Sequence, residues 1–80
     1  MTYFYELRSF NHKGECFNVR EYDCEKTATL KFRRLSTNTE NAYKALKKAG
    51  AKTAIVAHQI QLVKRDYNYL GLEELANWTA

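Results

Sequence analysis

Eighty residues, 45% of them hydrophobic and 14% aromatic, suffice for one small core and leave little room for a deep, dry active site. With that hydrophobic content and charge spread along the chain, a folded domain is expected rather than a disordered one. No apolar run approaches the roughly 18 residues of a membrane span, and the start, Met1-Thr2-Tyr3-Phe4-Tyr5-Glu6, lacks a signal region, so one soluble, cytoplasmic domain covering residues 1–80 is expected.

Tyr3, Tyr5 and Leu7, then Phe17 and Val19, alternate with polar neighbours at period two, which predicts two strands. Gly14 supplies the left-handed residue that a three-residue loop over 12–14 needs, with a bulge beside it. The pairing that follows sets Leu7 opposite Val19 and Ser9 opposite Phe17 on an inner face, with Glu6 opposite Arg20 and Phe4 opposite Tyr22 on an outer face. A slip of one residue puts Leu7 opposite Arg20, so the hydrophobic pattern selects the first register. The outer face then carries Phe4, Arg8, Phe10, Asn18, Arg20 and Tyr22. Such a patch resembles in kind the platforms on which single-stranded bases stack, but core beneath a covering helix is the expected reading, because exposed apolar patches are uncommon in small domains.

Cys16 and Cys24 lie eight steps apart in one expected strand; at about 3.3 Å each they are separated by roughly 26 Å, beyond a disulfide's Cα span of about 4.4–6.8 Å. Reduced thiols are expected. With His12 and His58 they match no zinc-ligand spacing, so neither metal nor cofactor is expected.

Asp23 offers a helix cap, and Cys24, Ala28, Phe32 and Leu35 recur at spacings of four, four and three on one helical face. The polar run Ser36-Thr37-Asn38-Thr39 reads as a break. A second helix then begins at Thr39-Glu40, has Ala42, Tyr43, Leu46 and Ala49 as its apolar residues, and stops at Gly50 after Lys47 and Lys48. Residues 52–64 fit a strand, with Ala54, Val56, His58, Ile60 and Leu62 on one side, better than a helix, which would place Gln59 and Asp66 within its apolar arc. If the segment is helical, residues 45–56 look like a helix-turn-helix turning at Gly50, with Lys52, Thr53, Gln59 and Lys64 near a DNA groove. Leu46 and Ala51 depart from that motif in side-chain size. His58 admits a role as general base or ligand, yet a hydrogen-bonded core histidine is expected. The tail ends in a short amphipathic helix with Leu72, Leu75 and Trp78 on one side.

The fold class read from these elements is α+β: an N-terminal antiparallel hairpin, two helices, a third strand completing a small sheet and a C-terminal helix, the alternative being a hairpin with a helix-turn-helix. Residues 26–65 hold ten cations and one acid, Glu40, a charge of +9, between flanks of −2 and −3. A like-charged middle of this kind implies an anionic partner unless the acidic flanks lie against it. The expected function is a non-catalytic binding module that docks on nucleic acid, or on a nucleic-acid-bearing complex, through Lys31, Arg33, Arg34, Lys44, Lys47, Lys48, Lys52, Lys64 and Arg65. Taken singly, each cation reads as part of a solvated face. The alternative is a protein-binding inhibitor or adaptor of the phage or mobile-element type, acting through Phe4, Phe10, Tyr22, Tyr67, Tyr69 or Trp78. No glycine-rich phosphate loop, paired carboxylates or activated nucleophile is present, so no enzyme is expected.

Overall fold

The computed structural model describes residues 3–68 and 71–80. Four strands and one helix follow in the order β1 (Tyr3–Phe10), β2 (Cys16–Tyr22), α1 (Glu25–Lys48), β3 (Gln59–Asp66) and β4 (Leu72–Thr79), with a single 3-10 turn, Thr53–Ile55, before β3. The strands form one antiparallel sheet in the order β2-β1-β3-β4. The helix packs on one face of it, against β3, β1 and β2. The class is α+β, but among the described residues there is one helix where three are expected, and four strands where three are expected. No described helix is long and apolar enough to cross a membrane.

The expected break over 36–39 is helical. The apolar faces of the two expected helices are in phase: Ala28, Phe32 and Leu35 continue through Ser36 and Thr39 to Ala42, Tyr43 and Leu46, so one unbroken rod turns all of them toward the sheet, the large ones half-buried. Ser36 and Thr39 are themselves buried. The propensity deficit of Ser, Thr and Asn is only a few tenths of a kcal/mol each, too little to outweigh that packing. Cys24, not Asp23, occupies the N-cap position. The C-terminal stop stands as expected: Gly50 adopts φ +70°, its N–H bonding the Lys47 carbonyl and that of Ala51 the Leu46 carbonyl, the paired bonds of a Schellman cap.

After Gly50 the chain forms the 3-10 turn and then β3, so the helix-turn-helix alternative falls with the absent second helix. The strand reading of this segment stands, shifted toward Gln59–Asp66. The expected C-terminal helix is instead β4. Once β1 has taken one edge of β3, the other edge exposes unpaired N–H and C=O groups, and residues 72–79 satisfy them. An eight-residue helix would be marginal in water. Register shifts between Leu62 and Val63, leaving Leu75 as an extra residue on β4. That bulge lets Leu75, Ala76 and Trp78 all pack on the core, and the spacing of three that imitated a helix is its signature.

A second bulge decides the hairpin. Near the loop, Phe10 pairs with Cys16 in the expected register; Phe17 is then the extra residue, and beyond it Ser9 pairs with Asn18, Arg8 with Val19 and Leu7 with Arg20. The register selected by the hydrophobic pattern is therefore slipped by one along most of the pair. The loop holds this geometry through Asn11, whose Oδ1 accepts the N–H of Lys13 and of Glu15, both at 2.9 Å, while Gly14 takes φ +82°. As an edge strand, β2 contributes little to the core: six of its seven residues are exposed, Phe17 and Val19 included. Its alternation thus had no buried face to enforce it.

The core lies between α1 and the central strands: Leu7, Ala28, Ala57, Ile60 and Leu62 are buried there, with Tyr5, Tyr22, Phe32 and Leu35 around them. The opposite face of the sheet has no helix over it, contrary to the expectation for Phe4 and its neighbours. Phe4 is nonetheless buried, its ring 5.1 Å from that of Tyr67, and Val63 beside it is fully buried. Polar pairs cover the remainder. The Glu6 carboxylate accepts bonds from Arg8 at 2.9 Å and Arg65 at 3.2 Å, while Gln59 donates to Asn77 and Gln61 to Glu74.

Candidate functional site

Charge is distributed by element. Helix α1 carries seven cations, Lys26, Lys31, Arg33, Arg34, Lys44, Lys47 and Lys48, against Glu25 and Glu40, a net +5. The four strands together carry −1. All seven helix cations are exposed, as is Lys52 beyond the helix end. Among the described residues only Lys44 meets an acid from this set, Glu40 at 4.0 Å, and that contact is exposed and contributes little. Lys26, Arg33, Lys44 and Lys48 recur at intervals of seven, eleven and four, each close to whole turns, and so form one ridge directed away from the sheet. At about 1.5 Å per residue the ridge is roughly 33 Å long.

Of the nine cations expected to form the site, six therefore share α1. Lys31 and Arg34 stand on the flank facing β2, Arg33, Lys44 and Lys48 on the ridge, and Lys47 on the other flank. Of the other three, Lys52 follows the helix end and two are on the sheet. Lys64 lies 4.2 Å from the centre of the Tyr3 ring and opposite Glu73, and Arg65 donates to Glu6 on the helix-free face. The acidic C-terminal flank is thus engaged along β3 and leaves the helix cations to solvent.

The aromatic alternative does not converge. Phe4 is buried under Tyr67, and Phe10 is half-buried on the helix-free face. Tyr22 and Trp78 pack against the core from opposite edges of the sheet. Tyr69 lies outside the described residues.

Between α1 and β2 runs an open groove of about 560 Å³. Leu7 and Leu35 form part of its floor, Arg20, Lys31 and Arg34 line it, and Phe17 and Ile55 stand on its lips, 58% and 75% exposed. Arg20 belongs here because the slipped register turns it to the helix side, opposite Leu7. Phe17 keeps the inner side that its alternation gives it, but as the bulged residue it faces no partner on β1. The Arg20 position has no local sequence signal, since it depends on a one-residue shift made by pairing with β1.

His58 is half-buried. Its Nε2–H donates to the Thr53 carbonyl at 3.1 Å, and its ring meets Tyr43 edge-on at 5.4 Å. It staples the 3-10 turn to the helix, as expected of a hydrogen-bonded core histidine. The His12 ring is 6.0 Å away. Among the described residues no group of three or more His, Cys, Asp or Glu stands together to hold a metal ion. Cys16 and Cys24 are free and exposed. The Thr27 amide and hydroxyl, and then the Lys26 amide, face the Cys24 sulfur and lower its pKa below the usual 9.0.

Compared with protein-family models, with curated proteins and with solved structures, the chain finds no match.

Proposed function

We propose that this chain is a non-catalytic module that docks on nucleic acid through the solvent face of α1, with Arg33, Lys44 and Lys48 at the centre and Lys31, Arg34, Lys47 and Lys52 around them. One observation carries the reading: the helix holds +5 while the sheet behind it holds −1, so the positive potential is one-sided. Seven exposed cations on one rod repel each other, and a polyanion laid along it removes that repulsion while releasing its own counterions. Contacts of this type position a phosphate backbone without reading bases.

The test is a fluorescence-anisotropy titration with labelled duplex and single-stranded oligonucleotides at several salt concentrations. If about five phosphates are neutralised, log K falls against log salt with a slope of about −4.5. Lys44→Gln with Lys48→Gln should flatten that slope by about two units, since each removes about one phosphate contact. Absence of binding at low salt refutes the proposal.

A further inference from the structure

We infer that the groove between α1 and β2 receives a short single-stranded segment of nucleic acid, an inference that rests on the reading above and adds the strandedness of the ligand. Three kinds of group meet there. Phe17 on one lip and Tyr22 in the lining present aromatic surface; Arg20, Lys31 and Arg34 supply positive charge; and Asn18 and Asn38 supply amides able both to donate and to accept. Among the described residues no acid lines the groove. An apolar floor alone would accept any greasy segment, but three cations without a counter-charge select an anionic occupant.

Geometry selects among anions. A duplex keeps its bases stacked inside and offers only phosphates, which the helix ridge can contact without the groove. An unpaired strand exposes base faces as well, and a base that leaves water to stack on an aromatic side chain gains affinity that is independent of sequence. The bulge in β2 leaves Phe17 without a partner on β1 and sets Asn18 opposite Ser9, so that both line the groove side by side. At 58% exposed on an edge strand, Phe17 is no member of the buried core of Leu7, Ile60 and Leu62. The volume of about 560 Å³ lies in the range of small-ligand sites and admits a few nucleotide units passing through rather than a closed pocket.

The test compares Phe17→Ala, Arg20→Gln and the ridge variant Lys44→Gln/Lys48→Gln, using a labelled thymidine homo-oligomer, a duplex of equal length and a glutamate-rich peptide. Phe17→Ala, which removes no core packing, should weaken the single strand about tenfold and leave the duplex and its salt slope unchanged. Phe17→Trp should retain single-strand binding and report it by quenching of the new indole. Equal loss for both oligonucleotides in Phe17→Ala, or no loss for either, overturns the groove inference while the helix reading stands. Failure of the unaltered chain to bind any oligonucleotide overturns the helix reading itself. Binding of the acidic peptide in a Phe17-dependent manner, with no competition from the homo-oligomer, assigns the groove to a protein instead and also refutes the inference.

Discussion

Glu6 joins two arginines on the helix-free face of the sheet. Its Oε1 accepts from Arg8 Nη2 at 2.9 Å and from Arg65 Nη1 at 3.2 Å, and the three side chains are 12%, 21% and 22% exposed. Glu6→Ala leaves two guanidinium groups facing each other in a largely desolvated patch. Breaking a fully buried pair costs about 3–5 kcal/mol, and a hydrogen bond to a charged group is worth about 1.5–3. With a fifth of each arginine still reaching water, the loss should be about 2–4 kcal/mol. An 80-residue domain has roughly 4–12 kcal/mol of total stability, so Tm should fall by roughly 10–25 °C. The assay is thermal unfolding followed by circular dichroism, together with urea titration. Removing all three charges at once, Glu6→Leu with Arg8→Met and Arg65→Met, should recover most of the loss, because like-sized apolar side chains need no partners. A Glu6→Ala loss below about 1 kcal/mol, or a triple variant worse than the single one, would show that the carboxylate does not hold this face together.

Thr37 is exposed at the middle of α1. Thr37→Pro should destabilise the fold by about 3 kcal/mol through a lost i→i−4 bond and a ring clash; a near-neutral effect in urea unfolding would mean that the chain breaks there after all. Cys24 should be alkylated by iodoacetamide faster than Cys16 at neutral pH, with a rate midpoint below 9.0, because its amide neighbours favour the thiolate. By linkage, the stability that this lowered pKa contributes is complete only above the unfolded value and disappears as pH falls through the folded one. Mass-spectrometric rates equal at the two sites would contradict the placement of the sulfur at the helix N-terminus.

Much of this molecule is legible along the chain because the responsible interactions are short-ranged. Gly14 and Gly50 mark their turns since only a residue without Cβ adopts φ +82° or +70° without strain. The apolar face of α1 can be read from Ala28 to Leu46 because 3.6-residue periodicity is a property of the backbone. The density of cations in the middle of the chain is likewise present in the sequence, and one helix holds most of them.

What tertiary structure alone decided is how segments distant in sequence complete one another. Whether residues 36–39 break the helix depends on a sheet surface long enough to bury both halves, and whether Leu72–Thr79 coils or extends depends on the open edge of β3. Two bulges, at Phe17 and Leu75, each convert a period of two into an offset of one, moving Arg20 to the helix side and packing Leu75 and Trp78 on the same core. Local sequence determines which residues are able to alternate; the pairing partner determines where the alternation is interrupted, because the hydrogen-bond ladder, and not the side-chain pattern, absorbs the extra residue.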